Sequence, residues 1–445
     1  MGAFGGCPPS YAGHGRFAAL EAHWWQAFLR CALILPMSTS PVFQSTVPAR
    51  SFVLLSLATF SSMASQRICD AMLPALSLEF GVGLAQVAQV VSVFAVVYGV
   101  LQLFYGPLGD RLGKFRIIAW ATLGCSVGNL LAAFASSLDM LVLSRALAAV
   151  GAAAIIPLGL AWIGDVADPV RLQETIARVG LGTALGVSFG PLVGGILTDT
   201  LGWRWAFALL ATLFCVVGAM LLTDLRGQQK ALLARAVGKA EPDVPVRQQG
   251  FGRQTLAILS EPWPRTILFV GVVEGGAGFG VLAIWASHLH HQMGFSLSAA
   301  GGITALFGVG GVAYMGSARR MIRRFQQPGL VLLGGCLVLL MTLVVAFTPW
   351  RWLTVPASLL MGFGFFSFHN VMQANAAQMA PASRGTGVSL FAASLFAGQS
   401  LGVLLAANLV ERVGSGNVVA GGGLVLVLLS CGLARALKAH ASAGK

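Results

Sequence analysis

The feature that most constrains the fold is a series of twelve apolar segments, each close to the length that crosses a bilayer. A spanning helix needs ~20 mostly apolar residues, because the hydrocarbon core is ~30 Å thick. The approximate segment cores are 51–75, 85–106, 116–136, 140–163, 176–198, 204–223, 265–287, 297–316, 329–347, 352–375, 386–409 and 416–436. Only 10% of the 445 residues are charged, whereas a soluble globular chain is about one-quarter charged. The sequence therefore predicts an all-α membrane protein.

The net charge of +13 follows the expected topology and is not typical of nucleic-acid binding. If odd-numbered segments run outward, the inner turns, the central polar stretch and the tail carry Arg111, Lys114, Arg116, Arg171, Arg178, Arg226, Lys230, Arg235, Lys239, Arg247, Arg253, Arg265, Arg319, Arg320, Arg323, Arg324, Arg384, Arg435, Lys438 and Lys445. The outer turns carry only Arg204, Arg351 and Arg412. Because cytoplasmic loops of membrane proteins are enriched in Lys and Arg, we expect both termini in the cytoplasm. The basic side would face the anionic headgroups of the bilayer, and no nucleic-acid partner is predicted.

A single long polar stretch divides the chain. Residues 224–264 are predicted to form a flexible cytoplasmic linker. The linker separates a first six-helix bundle at 51–223 from a second at 265–436, and residues 437–445 form a cytoplasmic tail.

Residues 1–50 precede the first segment and are predicted to be a cytoplasmic extension. The apolar run Trp24–Pro36 is too short to span a bilayer, and Arg30 interrupts it. One interpretation is a start assigned too early, with Met37 as the true initiator. The other is a segment that lies at the membrane interface.

Two internal matches indicate a duplication. The charged stretch Gly106–Arg116 after segment 2 aligns without a gap with a basic stretch that begins at Gly316, after segment 8. The second match pairs Gly186, Gly190, Asp199 and Gly202 with Gly398, Gly402, Glu411 and Gly414. Repeats of this kind build many transporters, and their substrate sites lie between the repeats near the middle of the membrane. We therefore expect two pseudo-symmetric six-helix bundles.

The stretch Gly106–Arg116 resembles the motif between helices 2 and 3 of the major facilitator superfamily. The residues that carry the resemblance are Gly106, Gly109, Asp110, Arg111, Gly113 and Lys114. The resemblance implies the major facilitator fold, a monomer, and a latch that stabilises the outward-facing state through a charge contact between the bundles. In the second copy, Arg320 occupies the position that corresponds to Asp110. We therefore expect only the first half of the chain to form this latch.

Segment 5 carries a glycine at every fourth position, which predicts a helix face without side chains. Together with its neighbours the stripe comprises Gly182, Gly186, Gly190, Pro191, Gly194 and Gly195. This run resembles the antiporter motif of drug:proton exporters in the same superfamily. Such close packing would seal a leak path while permitting the bundles to rock. The alternative is ordinary glycine packing between membrane helices.

Three ionisable residues in apolar segments are candidates for proton coupling: Asp70, Arg145 and Glu274. Arg67 and Asp70 are three residues apart, so they share a helix face and can pair. Arg145 resembles the helix 4 arginine that is implicated in proton movement in exporters of the superfamily. An acid within the membrane is a functional hypothesis by default, because burying its charge is costly. The alternatives are a helix cap for Asp70, a structural ion pair for Arg145, and an ion pair with Arg145 or another cavity group for Glu274.

Aromatic and polar residues of segments 2 and 10 are candidates for a substrate cavity: Tyr98, Gln102, Phe366, His369, Asn370 and Gln373. Their composition suits a bulky, partly apolar ligand, and satisfied hydrogen bonds between helices are the alternative. His288, His290 and His291 lack a nearby acid or cysteine, so we predict no metal site. The chain also has no phosphate-binding or hydrolase motif, and we expect neither a cofactor nor an enzyme.

Taken with the resemblance, these features predict proton-coupled efflux of amphipathic small molecules, such as drugs or a secreted siderophore, across the bacterial inner membrane by alternating access. Proton-coupled uptake of a small nutrient is the alternative in the same fold. A membrane receptor or scaffold is a remote third possibility.

Overall fold

The computed structural model describes residues 49–167, 172–236 and 251–443, and within them the chain forms helices and no strands. The first six long helices are α1 (Ala49–Arg67), α2 (Gln89–Leu112), α3 (Lys114–Ala133), α4 (Leu138–Val166), α5 (Leu172–Thr200) and α6 (Trp203–Ala236). The others are α7 (Pro262–Glu274, Gly275–Gly280 and Val281–Met293), α8 (297–325), α9 (327–347), α10 (Thr354–Gln378), α11 (Arg384–Val413) and α12 (Ser415–Ala443). Short helices lie at Ile68–Ala71, Leu73–Phe80, Leu84–Val87, Phe251–Ser260, Arg351–Leu353 and Pro381–Ser383.

The helices α8 and α9 follow each other directly in a run of 51 residues, Leu297–Phe347. The helical backbone breaks within this run at Gln326. At ~1.5 Å per residue, such a run is more than twice the thickness of a bilayer core. Gln326 reverses the chain at φ 52° and is the only non-glycine residue with positive φ in the described ranges. With α8 and α9 counted separately, the eleven apolar runs of spanning length become the twelve spans that the sequence predicts.

The twelve helices form two bundles with matching contacts. In the first, α1 packs on α5, α2 on α4, and α3 on both α4 and α6. In the second, α7 packs on α11, and α10 and α12 pack on the paired helices α8 and α9. Between the bundles, α2 packs along α11 and α5 along α8. The prediction of an all-α membrane protein with two pseudo-symmetric six-helix bundles is confirmed.

We call the face where α1 begins and α12 ends the terminal face, and the other the opposite face. The contacts between bundles run from the opposite face to the middle of the helices. Near the middle, Tyr98 of α2 meets Phe396 of α11 with ring centroids 4.6 Å apart. At the opposite face, Asp199 of α5 accepts a hydrogen bond from the main-chain nitrogen of Ser298 in α8. The bundles are therefore joined on the side of the opposite face.

Several predicted boundaries differ from the structure. The helix α2 continues to Leu112, so the charged stretch that begins at Gly106 is mostly helical and only Gly113, at φ 90°, makes the turn. Its second-half copy is likewise helical, and the chain turns at Gln326. A helix that ends at 106 was predicted because the apolar run ends there. Backbone hydrogen bonds nevertheless continue through polar residues outside the hydrocarbon core.

The two ends of the predicted linker 224–264 are also helical. Helix α6 extends to Ala236, and Phe251–Ser260 forms a separate helix before α7. The residues by which α6 extends into the predicted linker include the good helix formers Leu, Gln, Lys, Arg and Ala. The predictions for Trp24–Pro36 and Met37 concern residues outside the described ranges.

Candidate functional site

The first buried charged group lies where α1 ends. Arg67 Nη2 is 2.7 Å from Asp70 Oδ2, and the aspartate lies in the 3₁₀ turn Ile68–Ala71. Both side chains are buried inside the first bundle. The pairing that the three-residue spacing predicted is confirmed. We call Arg67, Asp70 and Arg145 the arginine cluster.

Arg145 completes this cluster from α4. Its Nη2 donates a hydrogen bond to the main-chain oxygen of Ser65 at 2.7 Å. Its guanidinium lies 4.2 Å from the ring centroid of Phe94, a cation–π distance. Arg145 is fully buried, and its polar partners are the hydroxyl and the main-chain oxygen of Ser65. With two cations and one anion, the arginine cluster carries a net positive charge.

The second buried charged group belongs to the second bundle. Glu274 Oε1 of α7 lies 2.6 Å from His369 Nδ1 of α10, and the glutamate is 0% exposed. On the other side of the ring, His369 Nε2 lies 3.0 Å from Nε2 of Gln373, which is exposed. This geometry fits a proton on Nδ1 donated to the carboxylate, with Nε2 accepting from the amide. Glu274 and His369 are hereafter the glutamate–histidine pair.

Aromatic rings surround this pair. The centroids within 6.3 Å of the His369 ring belong to Phe279 at 6.0 Å, Phe365 at 5.8 Å, Phe366 at 6.2 Å and Phe391 at 6.3 Å. An apolar shell of this kind excludes water and strengthens the hydrogen bond between the glutamate and the histidine.

Glu274 is positioned by a local distortion of α7. Immediately after it, Gly275–Gly280 forms a π-helical turn, a feature that is often found at functional sites. The turn is rich in glycine because α11 lies very close: a methyl group on Gly275 would overlap the main-chain oxygen of Leu395. The distortion therefore places the buried acid against α10 and α11.

The two charged groups meet at the bundle interface without forming a single network. The guanidinium of Arg67 lies 5.8 Å from the ring centroid of Phe279. Beside it, Gln66 Nε2 donates to Gln399 Oε1 of α11 at 3.3 Å. The predicted alternative for Glu274 is an ion pair with Arg145 or with another cavity group. The contact with Arg145 is not formed, whereas the contact with the cavity candidate His369 is.

The remaining cavity candidates differ in how far they are buried. Tyr98 and Gln102 are buried, and Tyr98 packs on Phe396 across the interface. Phe366 and Asn370 are half-buried on α10, the helix that carries His369. The structure thus brings the segment 10 candidates together and places the segment 2 candidates in the packed contact between α2 and α11.

The glycine stripe of α5 packs on α1 inside the first bundle. A methyl group on Gly182, Gly186, Gly190 or Gly194 would overlap the main-chain oxygen of Ser56, Phe60, Ala64 or Ile68, respectively. The two neighbouring residues face the other bundle: Gly195 contacts Leu297, and the Pro191 oxygen contacts Gly301. One motif thus serves packing within the bundle and packing between the bundles.

The predicted latch lies at the terminal face. Lys114 Nζ is 2.6 Å from Asp165 Oδ2 and 3.3 Å from Asp110 Oδ1. Arg111 and Gly106 are exposed or half-buried, and Gly109 packs closely on Leu158 of α4. Both ion pairs therefore lie inside the first bundle.

Sequence reasoning missed two members of these groups. Asp165 was not singled out, although an acid at the inner end of segment 4 stands opposite the basic turn after segment 2. His369 was predicted only as a cavity residue, and its bond to Glu274 depends on the approach of α7 to α10. A lone histidine in an apolar segment was the available signal for such a partner.

Comparisons with known proteins agree with this architecture. The sequence profile of the Major Facilitator Superfamily matches residues 55–403. The multidrug export protein EmrB of Escherichia coli (strain K12) is 26% identical over 177 residues, which cover 40% of this chain and 35% of EmrB. The putative multidrug resistance protein MdtD of Klebsiella pneumoniae (strain 342) is 24% identical over 291 residues, which cover 63% of this chain and 59% of MdtD. The chain thus matches between about a third and three-fifths of the length of these curated relatives.

Solved structures share the fold at low sequence identity. A bacterial homologue of the human lysosomal transporter Spinster, in an inward-facing and unoccupied conformation, aligns with a TM-score of 0.66 and 16% identity over 87% of this chain and 95% of that one. A point mutant of the nucleoside transporter NupG aligns with a TM-score of 0.69 and 14% identity over 85% of this chain and 98% of that one. With the profile covering most of its length, the chain belongs to the Major Facilitator Superfamily.

Proposed function

We propose that this transporter is a proton-coupled exporter of amphipathic small molecules that works by alternating access. The observation that carries the proposal is the glutamate–histidine pair: an acid with 0% exposure that is bonded at 2.6 Å to a histidine. The names of EmrB and MdtD, a multidrug export protein and a putative multidrug resistance protein, support the direction and the substrate class. The α5 glycine stripe supports the same choice through its resemblance to the antiporter motif.

The coupling step follows from the chemistry of the pair. When Glu274 gains a proton, the buried negative charge disappears, and its charge-assisted hydrogen bond from His369 becomes a weaker neutral one. The contact between α7 and α10 at this point is then loosened, and the hold on a bound cation or polar substrate is reduced. Gln373 is exposed and bonded to His369, which supports a proton route through the ring.

The arginine cluster has a supporting role in this proposal. Together with Asp70, the guanidinium groups of Arg67 and Arg145 leave a net positive charge near the interface, which disfavours a second cation there while Glu274 is protonated. Alternation then requires the contacts between α2 and α11, and between α5 and α8, to open as those near the terminal face close. Substrate would contact Phe366 and Asn370 beside the pair, with Tyr98 and Gln102 becoming accessible as the interface opens.

The proposed location is the bacterial inner membrane, with the terminal face and both termini in the cytoplasm. The excess of Lys and Arg at the turns of that face supports this orientation. In it, the described conformation is closed toward the outside. We propose that a monomer in the lipid bilayer, with protons and a small-molecule substrate as partners, is the transporting unit.

Transport in vesicles tests the coupling. Purified protein in proteoliposomes is given a pH gradient, and the movement of ethidium and a panel of other amphipathic dyes is followed by fluorescence. We expect Glu274→Gln to reduce gradient-driven transport to background while the protein stays monodisperse. Glu261→Gln is the matched control, because Glu261 is an exposed acid at the start of α7. Intact transport by Glu274→Gln would remove that residue from the coupling step.

Two histidine variants extend the same transport test. His369→Ala breaks the bond to Glu274, and we expect a loss of about tenfold or more in gradient-driven transport, since positioned proton-transfer groups contribute at least that much. His288→Ala is the control, because His288 is also buried in the second bundle but bonds to Ser415 Oγ at 2.8 Å. Equal losses in both variants would indicate a general packing defect.

Uptake of a small nutrient is the second candidate. The riboflavin transporter RibZ of Clostridioides difficile (strain 630) is 26% identical over 155 residues, 35% of this chain and 34% of RibZ. Its name gives no direction of transport. The direction of dye or riboflavin flow under an imposed gradient decides between export and uptake.

A further inference from the structure

Two acids at the ends of α5 and α11 occupy equivalent positions in the internal repeat. Asp199 aligns with Glu411, and three residues later Gly202 and Gly414 both turn the chain at positive φ, 97° and 83°. Both acids therefore lie at the opposite face, where helices end and the chain reverses. The transport mechanism above uses neither of them.

Asp199 bonds to the start of α8 in the other bundle. Its Oδ2 accepts hydrogen bonds from the main-chain nitrogen and the hydroxyl of Ser298, each at 2.6 Å. Its Oδ1 accepts from the main-chain nitrogen of Leu297 at 3.3 Å. These are the first nitrogens of α8, which have no partner inside the helix. A carboxylate from the first bundle thus caps a helix of the second.

Glu411 repeats this contact in the reverse direction. Its Oε1 accepts a hydrogen bond from the main-chain nitrogen of Ala85 at 3.2 Å. Ala85 lies at the start of the 29-residue span Leu84–Leu112, which contains α2. A Cβ on Gly83 would come within 2.7 Å of the same carboxylate oxygen, so the acid sits closely on the helix start. A carboxylate from the second bundle thus bonds to the short helix Leu84–Val87 that leads into α2 of the first.

We infer that Asp199 and Glu411 are paired latches that hold the two bundles together at the opposite face. The positive end of a helix dipole and its free N–H groups both favour a nearby carboxylate. Because each acid and the helix it caps belong to different bundles, both bonds break whenever that face opens. The latches are thus distinct from the Gly106–Arg116 motif at the terminal face, and they do not depend on proton coupling.

A cysteine introduced at a buried position between the bundles reports the opening of the opposite face. Ser400 is 6% exposed, and its Oγ lies 2.7 Å from Ser92 Oγ of the other bundle. Ser400→Cys is introduced into the full chain, and the protein is placed in lipid nanodiscs, where both faces are accessible. Reaction with a charged thiol reagent is followed by mass spectrometry of the peptide that contains residue 400. The reaction rate then measures how often the two bundles part.

We expect Asp199→Asn or Glu411→Gln to speed labelling about fivefold each, and the double variant about twenty-five-fold, if each cap contributes as a typical carboxylate at a helix start. Asp199→Glu keeps the charge and should label within about twofold of the parent. Unchanged labelling in both neutral variants overturns the inference, as does a double variant no faster than either single one.

Two controls separate a latch from general loosening. Glu79 lies at the same face, but its partners Trp203 and Arg204 are in its own bundle. Burial opposes its charge, yet these hydrogen bonds outweigh that effect and lower the pKa of Glu79. Glu79→Gln should therefore leave labelling unchanged, and an equal increase would overturn the inference.

The second control replaces a residue inside the first bundle. Thr122 of α3 is 0% exposed, and its hydroxyl bonds to the main-chain oxygen of Ile118 in the same helix. Thr122→Cys should stay unlabelled in the Asp199→Asn and Glu411→Gln backgrounds. Labelling there at the rate seen at position 400 would mean that the variants unfold, and it would overturn the latch.

Discussion

The two bundles share a helix arrangement but bury their charged side chains in different ways. The first contains the arginine cluster, in which two buried guanidinium groups accompany one buried carboxylate. The second contains the glutamate–histidine pair, in which one buried acid is bonded to a histidine, and His369 is linked to the exposed Gln373. The comparison shows that a duplicated helix arrangement can bury different sets of ionisable groups: two arginines with one acid in the first half, and one acid with a histidine in the second.

The largest expected difference concerns stability. Asp70→Asn leaves two buried cations without their anion, and breaking a buried pair in this way costs about 3–5 kcal/mol. Glu274→Gln leaves an amide oxygen that still accepts from His369, so we expect a loss of only about 1 kcal/mol. Thermal unfolding of both purified variants in the same detergent measures the contrast. Equal destabilisation would mean that the two buried groups depend on their acids to the same extent.

Glycine substitutions test the close helix packing that the two bundles share. A methyl group on Gly186 would overlap the Phe60 oxygen, and one on the equivalent Gly398 would overlap the Val272 oxygen. We expect Gly186→Ala and Gly398→Ala each to lower the free energy of unfolding by about 1–3 kcal/mol, the usual cost of overpacking. Gly180→Ala in α5 is the control, because a methyl group there meets no atom within 4 Å. Destabilisation in one half alone would contradict equivalent packing.

The smallest expected effect is at the terminal face. Lys114 pairs with Asp110 and Asp165, whose side chains are 53% and 54% exposed, so solvent screens both contacts. Lys114→Gln should cost less than about 1 kcal/mol of stability. Arg324→Gln, at the aligned position of the second half, should cost nothing measurable by the same thermal unfolding assay. A loss above about 2 kcal/mol at Lys114 would mean that this ion pair is structural.

Much of the fold could be predicted because bilayer physics acts on composition and length. A span must be apolar for ~20 residues and must satisfy its backbone internally, so twelve such runs allow little besides twelve helices. Boundaries were harder, since helix α2 continues past its apolar run to Leu112 and α8 continues to Phe325. The turn at Gln326 lacks the glycine of the first half, because Gly113 aligns with Arg323, and its only signal in the sequence is Pro328, which lies in the first turn of α9.

The sequence by itself determined that this chain is a duplicated helical membrane protein with a short list of buried charges, because hydropathy, repeats and charge asymmetry are properties of the chain alone. The spacing that pairs Arg67 with Asp70 is likewise a property of the sequence. Only the tertiary structure decided the partners of the other two buried charges: Arg145 with Ser65, and Glu274 with His369. The partners of Arg145 and Glu274 are 80 and 95 residues away along the chain. Such pairings depend on which helix faces approach within hydrogen-bonding distance, and the close packing of glycines in α5, α7 and α11 sets that approach.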